Sequence, residues 1–440
     1  MGRTRRIGGL VLSVVGAFAV AGVSVVGCES ALGLDDARVR TSDDAAPAAA
    51  DVSDLPDVPD VVSDVPDRVP NRVPYVVSSL GDHTCAVTPD KRAYCWGDNT
   101  EGQLGDGTTE TRSTPVLVAP FDDVVDVSAG YTHSCLVRSN SDVYCWGKND
   151  RGQLGDGTKI DRREASALTM SGALNVGVAG WHTCVVTALR TVRCWGDNYY
   201  GALGDSTFTA RTRYVDVLGL SDVTSLAVGV MHNCAATDQG YVYCWGRSVF
   251  GELGYAVEGD AGSPDPNDPG SPIAQRVPGL TDVASVVAGE DHTCAIRKNG
   301  QVVCWGRNDY SQLGDGTGIG RTTPAPVLGD PTYAVHLTAG GFNSCATFSG
   351  GKVRCWGRNN FGQLGNGNTN QGETVPSPPI VWLADVERLS TGEHTCAWRK
   401  DGKLFCWGRN DLGQLGLGSI SDYELQPREV TFPALPSASP

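Results

Sequence analysis

Short apolar runs alternate with glycine-rich turns along most of the chain, in a pattern that recurs from Tyr75 onward. Each repeat has an apolar strand ending in small residues, a His-Thr-Cys-Ala segment, a tight turn and then Tyr-Cys-Trp-Gly-x-Asn-x-x-Gly-Gln-Leu-Gly. The pattern occurs seven times. Regularly spaced short strands and glycine turns are typical of a propeller or solenoid. We therefore predict an all-β, seven-bladed β-propeller with about 50 residues per blade.

The two ends of the repeated region indicate how the ring closes. The last Gly-Gln-Leu-Gly, at 413–416, is followed by an outer strand near 426–431, and no further inner strand follows. The first repeat begins with an inner strand at Tyr75 to Ser79 and has no outer strand before it. We therefore expect the two termini to share one blade.

Every repeat carries two cysteines ten residues apart on consecutive strands. A three-residue loop such as Lys298–Gly300 places the two cysteines of a repeat directly opposite each other, at a distance that a disulfide tolerates. The same spacing does not suit a metal site. The predicted disulfides are Cys85 with Cys95, Cys135 with Cys145, Cys184 with Cys194, Cys234 with Cys244, Cys294 with Cys304, Cys345 with Cys355, and Cys396 with Cys406.

The amino terminus has the features of a bacterial lipoprotein signal. Three arginines in residues 1–6 precede an apolar stretch from Ile7 to Val26, and Cys28 follows. We expect residues 1–27 to be a signal peptide and Cys28, which has no partner among the repeats, to be lipidated. An uncleaved membrane-spanning helix is the alternative. Both place the folded part outside the cytoplasm, in the cell envelope or on the surface of a bacterium.

Residues 28–74 differ in composition from the repeats. From Glu29 to Pro74 there are 11 acidic and 4 basic residues, with recurring proline and no amphipathic period. This predicts a disordered tether, followed by the propeller at 75–440. The formal net charge of -15 disfavours nucleic acid as a partner and leaves the lipid as the only membrane contact.

The segments His83–Ala86 and Trp96–Gly105 resemble repeats of the regulator of chromosome condensation family, and the resemblance extends over about Tyr75 to Thr431. It implies a seven-bladed propeller. The family includes nuclear exchange factors for a small GTPase and secreted propellers that inhibit beta-lactamases, and this chain is distantly similar to the latter. Export, acidity and paired cysteines depart from the nuclear members, so neither exchange activity nor chromatin binding is expected to carry over.

Residues that differ between repeats indicate a binding surface. Because strands alternate in direction, the loop after the first strand (A) and the loop after the third strand (C) open on one face. We predict that this face binds a partner through Tyr131, Trp181, Met231, Phe342, Tyr199, Tyr200, Phe250, Tyr310 and Phe361. The alternative is that these side chains only pack the loops. An insertion near 258–272 joins the same face, and its spacing of aspartates does not fit a calcium site.

No nucleophile–base pair, carboxylate dyad or metal cluster breaks the repeat, so we predict no catalytic residue, no bound metal and no cofactor. The histidines two residues before the first cysteine and the repeated tryptophans are expected to be structural. The function favoured by the sequence is a monomeric, membrane-tethered scaffold that binds a protein or a glycan. The alternatives are a propeller hydrolase and an exchange-factor-like regulator.

Overall fold

The computed structural model describes residues 76–257, 270–329, 333–370, 372–381 and 383–434. These residues form strands and turns without any helix, as the sequence pattern predicts. The predicted signal peptide, Cys28 and the tether lie outside the described residues, and so do Asp260, Asp265 and Asp268 of the insertion. The domain boundaries drawn from the sequence therefore stay predictions.

The strands fall into seven sheets. The first three sheets are β1 (Val76–Ser78), β2 (His83–Val87), β3 (Ala93–Gly97) and β4 (Arg112–Leu117); β5 (Val124–Ala129), β6 (His133–Arg138), β7 (Val143–Gly147) and β8 (Arg162–Ala167); and β9 (Ala173–Val178), β10 (His182–Thr187), β11 (Val192–Gly196) and β12 (Arg211–Asp216). The fourth and fifth are β13 (Val223–Val228), β14 (His232–Thr237), β15 (Val242–Gly246) and β16 (Ser271–Arg276); and β17 (Val283–Ala288), β18 (His292–Arg297), β19 (Val302–Gly306) and β20 (Arg321–Pro326). The last two are β21 (Ala334–Gly340), β22 (Asn343–Phe348) and β23 (Lys352–Gly357); and β24 (Val386–Thr391), β25 (His394–Arg399), β26 (Leu404–Arg409) and β27 (Tyr423–Glu429).

Each sheet is one blade, and its strands A, B, C and D are antiparallel neighbours in chain order. The A strand of every blade contacts the A strands of both neighbouring blades, and β24 of the last blade contacts β1 of the first. The A strands therefore line a central channel in a closed ring. The predicted seven-bladed, all-β propeller is confirmed.

The expectation that the termini share one blade is wrong. β1 pairs with β2 in the first blade, and β27, which includes Gln426, pairs with β26 in the last. Each D strand pairs with the C strand that precedes it, so every blade is one contiguous segment. The ring closes through side chains instead. Trp398 Nε1 donates to the carbonyl oxygen of Val76 at 3.0 Å, and the Phe432 ring stacks on Trp398 with their centroids 5.7 Å apart.

The sixth blade has three strands among the described residues. Where the other blades have strand D, an isolated bridge joins Gly357 and Glu373. The chain then runs through Pro376, Pro378 and Pro379, which have no backbone N–H to donate to a sheet. The missing D strand thus has a local cause in the sequence.

The disulfides lie at the centre of each blade. The two cysteines of each repeat are directly opposite each other on strands B and C, with Cα atoms 4.0–4.1 Å apart, and all seven expected pairs are bonded. The last residue of the three-residue loop between these strands has positive φ in every blade, at Lys91, Ser141, Arg190, Gly240, Gly300, Gly351 and Gly402. In the chain-entropy model each ten-residue link stabilises the fold by about 2 to 3 kcal/mol.

A buried polar contact joins each blade to the next. At the first interface the carbonyl oxygen of Gln103 accepts hydrogen bonds from Trp146 Nε1 at 2.8 Å and from Ser134 Oγ at 3.0 Å. Ser134 Oγ also lies 2.7 Å from His83 Nε2 of the preceding blade. Trp146 is fully buried beside Leu104, and a Cβ on Gly105, which has a φ of +72°, would lie 2.8 Å from Trp146 Nε1. Burial of the tryptophan between blades confirms its expected role.

The same contact closes the ring between the last blade and the first. There the carbonyl oxygen of Gln414 accepts from Trp96 Nε1 at 2.9 Å and from Thr84 Oγ1 at 2.8 Å, and Thr84 meets His394. Burial lowers the pKa of His83 to about 4 and that of His394 to about 3, so both rings are neutral at physiological pH. These histidines are structural links between blades.

Candidate protein-binding face

The loops after strands A and C of each blade lie side by side at one end of the ring, which we call the loop face. The N–H of the residue after each Trp-Gly pair donates to a carbonyl in the loop after strand A. Arg247 N bonds Met231 O at 2.9 Å, and Arg358 N bonds Phe342 O at 3.0 Å. The opposite end, which carries the hairpins between strands B and C, is called the hairpin face.

Arginine follows the Trp-Gly pair in the last four blades. Each guanidinium lies over an aromatic ring in the loop after strand C of the preceding blade. The pairs are Arg247 over Tyr200 at 5.7 Å, Arg307 over Phe250 at 4.7 Å, Arg358 over Tyr310 at 5.5 Å and Arg409 over Phe361 at 5.5 Å. These distances suit cation–π interactions. We call the four arginines and their rings the arginine arc.

Acidic side chains in the loops after strand A neutralise the arc. Asp291, 4% exposed, accepts from Arg247 at 2.5 Å and from Arg307 at 3.1 Å. Glu393 accepts from Arg358 at 3.2 Å and from Arg409 at 2.6 Å. Burial opposes the charge on Arg409, but its hydrogen bond to Asp411 and the nearby carboxylates raise its pKa further above the ordinary range. The arc is therefore held in place by contacts within the protein.

All nine residues predicted to bind a partner lie on the loop face. Tyr199 is 62% exposed, and the other eight are half-buried. Phe342 lies beneath two arginines, 5.2 Å from Arg307 and 5.9 Å from Arg358. The half-buried rings of the arc therefore pack the loops and also present an edge to solvent, and their role in binding a partner stays a prediction.

Two residues meet across the mouth of the channel on the loop face. Tyr131 of the second blade lies close to Glu290 of the fifth blade, on the far side of the ring. Burial and the Glu290 charge raise the pKa of Tyr131, and burial and the charge of Asp291 raise the pKa of Glu290. The Trp181 ring packs edge-on against Tyr131 with centroids 6.4 Å apart. This group narrows the channel at the loop face.

The first three blades carry different residues at the position of the arginines, namely Asp98, Lys148 and Asp197. Lys148 pairs with Glu101 at 2.8 Å, so an ion pair stands where the other blades have a cation over a ring. On this side Tyr199 and Tyr200 form an edge-on pair with centroids 4.8 Å apart. The loop face therefore has two chemically different halves.

The sequence interpretation missed the acids that organise this face. Asp291 and Glu393 directly precede the repeated histidine, as Asp82 does in the first blade, and their signal was a charge at a position where the other four blades have Thr132, Trp181, Met231 and Phe342. Glu252 replaces the glutamine of Gly-Gln-Leu-Gly. It is completely buried beneath Arg247, and burial raises its pKa to about 8 although the Arg247 charge opposes this.

Within the described ranges, no group of three or more His, Cys, Asp or Glu is placed to hold a metal ion. The same part of the chain contains no helix of the length and apolar character needed to cross a membrane. The predicted lipidation site at Cys28 lies outside it.

Comparison with known proteins identifies the fold family. The model of the RCC1-like domain matches residues 123–439, and that of the regulator of chromosome condensation (RCC1) repeat matches residues 90–137. The chain belongs to the RCC1-like domain family. Similar members include the ultraviolet-B receptor UVR8 of Arabidopsis thaliana, 34% identical over 40% of this chain and 41% of that protein. The probable E3 ubiquitin-protein ligase HERC4 of Homo sapiens is 34% identical over 36% of this chain and 15% of its own length. The chain thus spans under half the length of these relatives.

Solved structures of other proteins share the propeller. Yeast RCC1 (Prp20), in a crystal structure with Kap60, superposes with a TM-score of 0.70 and 19% identity over 82% of this chain and 86% of its own. Human WBSCR16 superposes with a TM-score of 0.66 and 23% identity over 78% of this chain and 94% of its own. Identities this low show a common fold alone.

Proposed function

We propose that this RCC1-like protein is an exported, non-enzymatic binding scaffold that is tethered by a lipid on Cys28 and recognises another protein through its loop face. The observation that carries the proposal is the arginine arc. Four consecutive blades place an arginine over a ring of the preceding blade at the same position, on a scaffold whose interior is otherwise repeated.

Aromatic and arginine side chains held in fixed positions are the residue types that contribute most to protein interfaces. The ion pairs of Asp291 and Glu393 hold the arginines before a partner arrives, which reduces the entropy lost on binding. Prp20p of Saccharomyces cerevisiae, a structural neighbour, has been described together with its binding to Gsp1p and histones. A protein partner for this chain agrees with that use of the fold.

The test compares two double variants of the full chain. Trp181→Ala with Tyr199→Ala removes aromatic area from the loop face, and Tyr214→Ala with Tyr333→Ala removes two exposed tyrosines, one from β12 and one beside Gly300 on the hairpin face. A partner is first isolated from envelope extracts with the unaltered protein, and its affinity is measured by calorimetry. We expect the loop-face variant to bind at least about tenfold more weakly and the control to bind normally. Equal affinity in both variants would place the site elsewhere, and retention of a glycan instead of a protein would change the partner class.

The tether is tested separately. Cys28→Ser should release the protein from the membrane fraction, because the acyl chains would have no attachment site. Ser30→Ala, two residues away, should leave membrane association unchanged. Firm membrane association of the Cys28→Ser protein would support the uncleaved helix instead.

A further inference from the structure

The sixth blade carries a different polar pair in the loop after strand C. In four other blades an aspartate of this loop forms an ion pair with the first arginine of strand D. The pairs are Asp106 with Arg112, Asp156 with Arg162, Asp205 with Arg211 and Asp315 with Arg321. In the sixth blade Asn366 stands where these blades have aspartate, and its Nδ2 atom donates to Glu373 Oε1 at 3.2 Å. An amide paired with a carboxylate thus replaces a carboxylate paired with a guanidinium.

The residue after Asn366 is Gly367, whose N–H has no hydrogen-bond partner among the described residues. At the same position in the first blade, Gly107 N donates to Arg163 O of the second blade at 2.9 Å, and equivalent bonds to the next blade form in the second, fifth and seventh blades. The local backbone is alike, since φ is +83° at both Gly367 and Gly107. Gly367 is exposed, and a Cβ built on it would have no atom within 4 Å. Its nitrogen is therefore unbonded at a position open to solvent.

The side-chain carbonyl of Asn366 is held by two donors. Its Oδ1 atom accepts from Asn359 Nδ2 at 3.1 Å and from Asn368 N at 3.4 Å. Donors at a carbonyl oxygen stabilise the negative charge that develops there when a nucleophile adds to the carbonyl carbon. Gly367 N is the next nitrogen along the chain, so its addition to the Asn366 side chain is intramolecular. A nucleophile and a polarised amide thus stand side by side.

We propose that Asn366 is a site of spontaneous deamidation, with Gly367 N as the nucleophile. Gly367 N loses its proton and forms a bond to Asn366 Cγ, the Cγ–Nδ2 bond breaks, and ammonia leaves with that proton. Water then adds to either carbonyl of the cyclic imide and opens it, which gives aspartate or isoaspartate at position 366. The reaction consumes one water and involves no oxidant or reductant. It does not depend on recognition by the loop face.

The product changes the charges at the outer edge of the sixth blade. It places a carboxylate at the position from which Asn366 donates to Glu373, where the other four blades have an arginine to pair with the acid. Two carboxylates this close repel each other. Glu373 also forms the isolated bridge with Gly357 that stands in place of strand D. Deamidation should therefore weaken this edge.

The chain contains a second Asn-Gly bond, Asn299–Gly300, which serves as an internal control. Gly300 N donates to Arg297 O at 2.8 Å, and a Cβ on Gly300 would lie 2.7 Å from Tyr333 Cα. Asn299 Oδ1 accepts from one donor, Gln301 N, at 3.0 Å. The nucleophile is thus occupied by a hydrogen bond, and the carbonyl is less polarised than that of Asn366.

The test incubates the full chain in mildly alkaline buffer made with water labelled with heavy oxygen, quenches samples with acid and measures both Asn-Gly peptides by mass spectrometry. Opening of the imide incorporates solvent oxygen, so the label records the reaction. We expect the Asn366 peptide to acquire label at least about tenfold faster than the Asn299 peptide. In urea the two rates should converge, because the hydrogen bonds that distinguish the sites are lost. No label at Asn366, or equal rates in the folded protein, would overturn the proposal.

Two variants test the effect on the blade. Asn366→Asp supplies the product directly and should lower the urea midpoint of unfolding. Asn366→Asp combined with Glu373→Arg restores the ion pair of the other blades and should recover the midpoint. Asn299→Asp, in an exposed hairpin, is the matched control and should leave the midpoint unchanged. An equal midpoint for Asn366→Asp and Asn299→Asp would contradict the expected weakening of this edge.

Discussion

In the blade interior, the same contact between a tryptophan, a hydroxyl or amide side chain and a backbone carbonyl occurs at all seven interfaces. On the loop face, the position directly after the Trp-Gly pair is an arginine in four consecutive blades and an acid or a lysine in the other three. The interior tryptophan and the loop-face residue are two positions apart in the sequence. The tryptophan is the same in every blade, and the loop-face residue is not.

The difference shows which residues the ring requires. A repeated interface must be satisfied in each blade, because one open interface exposes the buried faces of two blades. The position after Trp-Gly bears no such demand, since the same closed ring contains an ion pair of Lys148 with Glu101 at one blade and Arg409 over Phe361 at another. The ring does not require the arginine and aromatic side chains that are concentrated at this position. We therefore assign these side chains to recognition.

The largest expected effect is in the interior. Trp146→Ala leaves a cavity beside Leu104 and removes the donor to the Gln103 carbonyl, so we expect the free energy of unfolding to fall by about 3 to 5 kcal/mol. Urea denaturation followed by circular dichroism measures this. Trp181→Ala, at a half-buried tryptophan of the loop face, is the control and should cost less than half as much. Equal losses would contradict the contrast between the two regions.

Much of the fold followed from the sequence because repetition fixes it. Seven copies of the same strand, turn and cysteine spacing determine the blade, its register and its disulfides. Ring closure was predicted wrongly, since side chains such as Trp398 and Phe432 close the ring, and a strand pattern carries no information about that packing. The candidate surface was recognised by its aromatic residues. The ion pairs of Asp291 and Glu393 were not, because each acid bridges an arginine of its own blade and an arginine of the preceding blade.

Glu252 stands in the interior where the repeat has the glutamine of Gly-Gln-Leu-Gly. Its effect on the free energy of unfolding should depend on pH. Its pKa of about 8 in the folded protein lies above the ordinary 4.5, so the folded state retains a proton that the unfolded state releases. The stability contributed by this group is complete below pH 4.5 and is lost as pH rises toward 8. Glu252→Gln should therefore match the unaltered protein near pH 4.5 and exceed its free energy of unfolding by about 1 to 3 kcal/mol near pH 8.

Gln312→Glu is the converse control. Gln312 occupies the same position in the fifth blade, accepts from Tyr310 N at 3.0 Å and has an Nε2 atom without a partner among the described residues. This variant should acquire the pH dependence that Glu252→Gln loses. Urea titrations at several pH values measure both. A pH-independent difference between Glu252→Gln and the unaltered protein would mean that Glu252 is charged in the folded state.

The smallest expected effects on stability separate the two kinds of aromatic residue on the loop face. Phe342 lies between Arg307 and Arg358, so Phe342→Ala should lower the free energy of unfolding by about 1 to 2 kcal/mol. Tyr199 is 62% exposed and touches mainly the edge of Tyr200, so Tyr199→Ala should change it by no more than about 0.5 kcal/mol. Both values come from urea denaturation, with Tyr423→Ala on β27 as the control for an exposed tyrosine. Because Tyr199→Ala leaves the fold intact, any loss of partner affinity it causes reports on recognition alone. A loss of stability as large as that of Phe342→Ala would mean that Tyr199 packs the loops too.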